Sequence, residues 1–452
     1  MTVASASTIA AIATPPGEGA IGVIRVSGRD AIPIVGPLVR HAKLPLPEFR
    51  PRVAHRVGLV DPRTGGTIDE AVCVVFRGPH SYTGEDVVEL SCHGSPALLA
   101  LVVARLVEGG ARLAEPGEFS RRAYLNGRLD LAQAEAVALL IRARSERAVT
   151  LAARTLGGGL SRPLHALREG LLDLIASLEV TLDFAEEGYG IDAGAALKAL
   201  TPLRTEAAHW LEVAHSGRLV HDGVTVCIVG APNAGKSSLF NALLGRERAI
   251  VSAIPGTTRD VVEGRLELAG VGVRLLDTAG IREPRDVLEA EGIRRAQAAA
   301  SESDLLLVVL DGTTPPDLAI IDRTADRRRV LVVTKSDLPG HPRTHDIADA
   351  LRASSVTGEG VEAITARLCD EIGRLTLEAD DESGIVASLR QMELLARLRD
   401  ALATAEAALA RAPIEVALLD LGVGLGAVSE ILGTAVSDSV LDRIFSVFCI
   451  GK

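Results

Sequence analysis

Between Gly230 and Gly360 the sequence sets out residues whose types and spacing suit a phosphorylated nucleotide. Gly230-Ala231-Pro232-Asn233-Ala234-Gly235-Lys236-Ser237 has the spacing GxxxxGK[ST]; the apolar run Val224 to Val229 precedes it and a helical pattern, Ser238 to Leu244, follows. In that context backbone N–H groups ring the phosphates at a helix N-terminus. Lys236 then neutralises β/γ charge, as the catalytic cation, and Ser237 reaches Mg²⁺. Asn233, Ala234, Gly235, Lys236, Ser237 and Ser238 are therefore expected nucleotide contacts. Downstream, Asp277-Thr278-Ala279-Gly280 closes an apolar strand, where the Asp277 carboxylate can hold the metal and the Gly280 N–H can meet a γ-phosphate. Between these motifs, Gly256-Thr257-Thr258-Arg259-Asp260 offers a metal-binding hydroxyl, assigned to Thr258, on a segment that can close on a triphosphate.

Base identity is expected from Thr334-Lys335-Ser336-Asp337, an NKxD-type motif in which Asp337 accepts from the guanine ring and amino nitrogens. Adenine presents a different pattern, so this residue selects guanine. Thr334 stands where Asn is usual, leaving one hydroxyl in place of an amide. Ser354 and Ser355 open Ser354-Ser355-Val356-Thr357-Gly358-Glu359-Gly360, which resembles a loop closing over the base. In Ras-like GTPases a Gln follows the third motif and orients the attacking water. Here Ile281 fills that place, so another group must act, and Glu283, Asp286, Glu289 and Glu291 are the acidic choices.

These motifs need strands that end at one edge of a sheet. Val224 to Val229, Val271 to Leu276, Leu305 to Leu310 and Val330 to Val333 read as short buried strands alternating with helices, hence a parallel sheet covered by helices. Ahead of them, Ile21 to about Leu113 reads as mixed: strands at Ile21 to Val26, Ala71 to Phe76 and Val87 to Leu90, and a helix from Pro96 to Val107. From Ser120 to about Ser216 the spacing is helical, broken at Gly157-Gly158-Gly159 and at 188–190. Helical spacing resumes after the acidic stretch 378–382. The expected fold is multidomain: an N-terminal α+β domain over 1–118, an α-helical domain split between 119–220 and 378–452, and an inserted α/β Ras-like P-loop G domain over 221–377.

Composition sets bounds. Hydrophobic residues make up 47% of the chain and aromatics only 2%, so the cores rest on Ala, Val, Leu and Ile. A net charge of −11 argues against a coat of nonspecific nucleic-acid binding, which depends on Lys and Arg displacing counterions. Arg121, Arg122, Arg128, Arg142, Arg144 and Arg147 form the densest basic stretch of the first third, read as a solvated helix face. Cysteines at 73, 92, 227, 369 and 449 are odd in number and scattered, which points to a reducing cytoplasm rather than a disulfide framework. The opening residues lack the basic start of a signal peptide, and no apolar run approaches the roughly 20 residues of a membrane span. Gly17-Glu18-Gly19-Ala20-Ile21-Gly22 is formally GxGxxG but runs into a strand instead of opening a helix, so a turn is expected. The ending Cys449-Ile450-Gly451-Lys452 puts poor occupants in a prenylation box.

Beyond single motifs, the chain resembles the MnmE (TrmE) family of tRNA modification GTPases along essentially its whole length. The likeness rests on Asn233 in the P-loop, Gly256 to Asp260, and Asp277 to Gly280 followed by Ile281-Arg282-Glu283. It rests further on Ser81-Tyr82-Thr83-Gly84-Glu85-Asp86, Pro116-Gly117-Glu118-Phe119, Leu129-Asp130-Leu131-Ala132-Gln133-Ala134-Glu135 and Phe448-Cys449-Ile450-Gly451-Lys452. The resemblance implies a cytoplasmic homodimer that works with the flavoprotein MnmG to build an aminomethyl-type group on carbon 5 of the tRNA wobble uridine. It implies a 5-formyl- or methylene-tetrahydrofolate one-carbon donor, with Arg25, Glu89, Arg128 and Lys452 at the family's folate positions; Arg128 stands where Lys is frequent. It also implies a K⁺ ion held by Asn233, Ser252, Ile254 and Thr257 when two G domains meet, and Glu289 as the group orienting water. An Era- or EngA-like ribosome-assembly switch is the alternative, but the chain has one P-loop and no basic KH segment.

Overall fold

In the computed structural model, residues 7–183, 191–246, 262–277, 300–376 and 384–452 are described. The chain opens with strands β1 (Ile9–Ile12), β2 (Gly19–Ser27), β3 (Val39–Arg40), β4 (His55–Val60), β5 (Thr67–Phe76), β6 (Val87–Gly94) and β7 (Arg112–Leu113). They form one sheet in the order β3-β4-β5-β6-β2-β1-β7, antiparallel except for the β1–β7 pair. Helices α1 (Ala31–Val35), α2 (Pro96–Glu108) and α3 (Glu118–Leu125) are interleaved with them. On β5, Ala71, Cys73 and Val75 are buried while Val72 is exposed, the alternation expected of a sheet covered on one face. These residues join Leu99, Val102 and Leu106 of α2 in a single core.

Helices α4 (Leu131–Arg142), α5 (Glu146–Leu156), α6 (Ser161–Asp183) and α7 (Ala193–Asp222) follow. Next come β8 (Val224–Gly230), α8 (Lys236–Arg246), β9 (Val262–Leu268), β10 (Val271–Asp277), β11 (Leu305–Asp311), α9 (Leu318–Arg323), β12 (Arg329–Thr334), β13 (Leu351–Arg352) and α10 (Val361–Leu375). Helices α11 (Leu389–Arg411), α12 (Ile414–Leu432) and α13 (Asp438–Ser446) complete the chain. The second sheet runs β13-β12-β11-β8-β10-β9, parallel except at the β9–β10 hairpin. Its central strand β11 is apolar without alternation because both faces are covered. Leu305, Leu307 and Val309 pack with α5, α8 and α10, whereas Leu306 and Val308 meet Ile320 and Ile347 on the other side.

The fold is therefore multidomain, with an α+β portion, an α-helical portion and an α/β P-loop portion, as the sequence leads one to expect. Residues 1–138, 160–204 and 397–452 form one compact unit, and residues 139–159 and 205–396 form a second. The first unit is thus assembled from three separate stretches. Among the described residues no helix is long and apolar enough to cross a membrane.

Candidate functional site

In the second unit the motifs gather at the carboxyl ends of β8, β10, β11 and β12. Asp277, 1% exposed, ends β10 and pairs in register with Ile228 of β8, which puts its carboxylate beside the P-loop strand. The loop needs two left-handed residues to turn back over the helix: Asn233 at φ 60° and Gly235 at φ 90°. A side chain at Gly235 would also meet the Thr334 hydroxyl at 3.3 Å, so glycine is required there twice over. Lys236 is 7% exposed and donates to the carbonyls of Gly230 at 3.0 Å and Ala231 at 2.8 Å. Burial pushes its ammonium pKa down, partly offset by the Asp277 carboxylate. Ala234 is buried, whereas the side chains of Asn233, Ser237 and Ser238 are exposed at the start of α8.

The guanine motif is tied in from three sides. Thr334, 2% exposed, directs its hydroxyl at the Ala234 carbonyl, 2.5 Å away, with the Leu310 carbonyl at 3.1 Å as a second acceptor. The residue that replaces Asn thus spends its one proton on joining β12 to the P-loop. Lys335, left-handed at φ 60°, sets its ammonium 2.6 Å from Asp311 Oδ2 at the end of β11. The Ser336 amide donates to the Ala353 carbonyl at 3.2 Å, and Asp337 stands exposed beyond it. Ser354 is fully buried: its hydroxyl oxygen accepts from Val356 and Thr357, each at 3.2 Å, while Ser355 is half-buried beside it. Gly360 starts α10 at φ 75° where a Cβ would lie 1.9 Å from the Arg352 carbonyl. Thr278, Ala279, Gly280, Ile281, Glu283, Asp286, Glu289 and Glu291 lie outside the described residues, as do Ser252, Ile254, Thr257 and Thr258.

In the first unit, Arg25 and Glu89 face each other across β2 and β6, with Arg25 Nε 2.8 Å from Glu89 Oε1. The guanidinium also donates to the Gly451 carbonyl at 3.3 Å and lies over the rings of Tyr82 and Phe119, 5.5 and 5.7 Å from their centroids. Helix α3 has a left-handed glycine at its N-cap and no side-chain cap. Its orphan donors are met by the chain's last residues instead: the Gly117 amide reaches the Cys449 carbonyl at 3.4 Å, and Phe119 reaches the Lys452 carbonyl at 3.2 Å. Gly451 permits this at φ 93°, where a Cβ would lie 2.5 Å from the Ile12 carbonyl. Arg25, Glu89 and Lys452 are thereby brought together. Arg128 is exposed on another loop, placed so that a side chain at Gly84 would meet its Cγ at 3.4 Å.

The stretch from Ser81 to Asp86 serves to build this region. Thr83 and Ser27 share a hydrogen bond of 2.7 Å, Ser27 also donates to Glu85, and the Asn126 amide donates to the Thr83 carbonyl. The Arg122 guanidinium, 4% exposed, bridges Glu85 at 3.0 Å and Glu118 at 2.9 Å. Burial works against ionisation of Glu118, but hydrogen bonds from Arg112, the Glu115 amide and Arg122 outweigh it and hold its carboxyl below the usual range. Sequence reasoning missed Asp311, whose only signal is a carboxylate at the end of a fully apolar strand, and the pairing of Arg122 with Glu85, read instead as part of a solvated helix face.

Comparison of the sequence with known proteins identifies its family. The family "GTP-binding protein TrmE N-terminus" matches residues 8–128, and the family "MnmE helical domain" matches residues 131–449. The tRNA modification GTPase MnmE of Koribacter versatilis is 43% identical, covering 98% of this chain and 99% of its own length. The protein of that name in Thermus thermophilus is 44% identical, again over 98% and 99%. Among solved structures, the G domain of the T. maritima FeoB iron transporter matches 34% of this chain and 98% of its own, at 26% identity and a TM-score of 0.25. With both family signatures matched in sequence along nearly its full length, the chain belongs to the MnmE family of tRNA modification GTPases.

Proposed function

We propose that the chain hydrolyses GTP to drive modification of the tRNA wobble uridine in the cytoplasm. Working with an MnmG-type flavoprotein, it would form 5-carboxymethylaminomethyl or aminomethyl uridine. The observation that supports the nucleotide half most directly is the convergence of Lys236, Asp277 and the Thr334–Asp337 loop at one edge of the second sheet. Backbone amides of Asn233 to Ser238 and the Lys236 ammonium would hold the phosphates, and Asp337 would accept from guanine.

The donors for magnesium are hard oxygens, the Ser237 hydroxyl and the Asp277 carboxylate, joined by Thr258. Bound magnesium supplies charge neutralisation at the β- and γ-phosphates. Asn233, exposed on the P-loop, would hold potassium with Ser252, Ile254 and Thr257 when two copies pair through their G domains. With Ile281 unable to orient water, Glu289 takes that role.

In the first unit, the Arg25–Glu89 pair with Lys452 offers both charges beside the aromatic faces of Tyr82 and Phe119. That donor set suits a flat heterocycle with an acidic tail, such as a tetrahydrofolate, and Arg128 adds a cation at the rim. Bound folate supplies the one-carbon unit. Mass spectrometry of wobble uridines in tRNA from cells lacking this chain tests the proposal: loss of the 5-substituted uridines is expected, and an unchanged profile refutes it. Hydrolysis by the purified chain should be much faster in K⁺ than in Na⁺, and equal rates would remove the potassium assignment.

A further inference from the structure

We infer that Asp311 is a positioning residue of the nucleotide site, which sets guanine affinity by fixing Lys335 beside the base-reading Asp337. The inference rests on the nucleotide reading above and adds to it a residue outside every motif. Three observations carry it.

First, Lys335 has φ 60°, a conformation that residues with a Cβ adopt only when their surroundings impose it. Its two neighbours are fixed from other elements, Thr334 by the Ala234 carbonyl and Ser336 by the Ala353 carbonyl. The side chain, though, is held by Asp311 alone among the described residues, at 2.6 Å.

Second, Asp311 is itself prepared for that task. Its Oδ1 accepts from the Thr313 amide at 2.9 Å and the Thr313 hydroxyl at 2.6 Å, leaving Oδ2 for the ammonium. The carboxylate is 14% exposed; burial alone raises its pKa, yet the Lys335 and Thr313 hydrogen bonds prevail and keep it below the ordinary value. It is therefore charged at neutral pH and oriented before any ligand arrives.

Third, the backbone next to Asp311 is locked to the same motif. The Gly312 amide donates to the Thr334 carbonyl at 3.1 Å, and a Cβ at Gly312 would lie 2.5 Å from that oxygen. The end of β11 and the start of the guanine motif therefore move as one piece. Lys335, 33% exposed, is kept from sweeping through solvent, so the ordering of this long side chain precedes binding.

The test uses the full chain with GDP and GTP as probes. Asp311→Asn keeps the shape and an acceptor for Thr313 but removes the charge. Both dissociation constants should rise by about tenfold, the scale of one charge-assisted hydrogen bond. The two nucleotides should be affected equally, because the base is common to both, so KM for GTP rises while kcat at saturation holds. In a Lys335→Met background, Asp311→Asn should have no further effect. An unchanged dissociation constant for Asp311→Asn, additive effects in the double variant, or a fall in kcat at unchanged KM would each overturn the inference. If the unmodified chain fails to bind GDP, the nucleotide reading itself falls and takes this inference with it.

Discussion

Replacing Gly451 with Ala should release the carboxyl-terminal turn from helix α3, because the added methyl has nowhere to go. At φ 93° a residue with a Cβ carries strain of about 1–2 kcal/mol. The Cβ would also lie 2.5 Å from the Ile12 carbonyl and 2.8 Å from Ala13 Cα, so β1 or the turn must shift. Holding the turn in place are three hydrogen bonds: Gly117 to Cys449, Phe119 to Lys452, and Arg25 to Gly451. At about 1 kcal/mol net apiece they total about 3 kcal/mol; strain cancels about 1–2 kcal/mol of that, and the overlap, which only a shift of backbone relieves, acts against the remainder. Phe119 then has an N–H in the first helical turn without an acceptor. Hydrogen exchange followed by mass spectrometry should show the 117–121 region exchanging at least about tenfold faster, since loss of about 1.4 kcal/mol of protection gives that factor. Gly127→Ala is the control: Gly127 has φ 66° with nothing within 4 Å of a Cβ, so it incurs strain without overlap. Unchanged exchange at 117–121 in Gly451→Ala, or an equal change in Gly127→Ala, would refute the reasoning. Affinity for a tetrahydrofolate should fall in parallel with the loss of protection.

Arg122→Met should destabilise the first unit by about 3–5 kcal/mol, because the carboxylates of Glu85 and Glu118 lose a buried counter-charge; a shift below about 1 kcal/mol in denaturant titration would contradict the network. Asp337→Asn should lower GTP affinity and favour xanthosine triphosphate, whose C2 carbonyl accepts from the new amide, by at least about tenfold in competition binding; retained guanine preference would refute base reading by Asp337. His221 donates from Nδ1 to Asp222 and from Nε2 to the Leu139 carbonyl, each at 2.9 Å, which only the imidazolium can do at once. Burial opposes that charge, but the Asp222 and Leu139 bonds prevail and raise the folded pKa. Its stabilisation is thus full below the unfolded value of about 6.5 and is lost as pH rises through the folded one. The stability gap between wild type and His221→Gln should be wide near about pH 6 and narrow by about pH 9, and a gap independent of pH would refute it.

What could be read in advance was local. The P-loop, Asp277 and Thr334–Asp337 announce themselves because each is a short run at the end of an apolar strand, and β8, β10, β11 and β12 fall where those runs predict. Strands β1 and β4 escaped notice: Ile9–Ile12 is four residues long, and His55–Val60 carries two polar residues and a glycine. Helical spacing after Ser120 was legible, but not that Arg122 turns inward, since its partners Glu85 and Ser7 lie 37 and 115 positions away. Asp311 was overlooked for the same reason, its meaning depending on Lys335 across a strand, a helix and a turn. The pattern is physical: periodicity reports which face of an element is apolar, and says nothing of which distant charge will neutralise a buried one.

The bond from Arg25 to Gly451 spans 426 positions. A chain made from its amino end can pair β2 with β6 early, yet the first turn of α3 lacks its acceptors until residues 449–452 arrive. At about 5–20 residues per second that interval lasts tens of seconds, long enough for the second unit to be made and to fold in the meantime. The site around Arg25 is thus finished after the second unit, although its strands β2 and β6 are made before it. A product cut between residues 397 and 448 would carry the whole of the second unit with the Arg25 site left open.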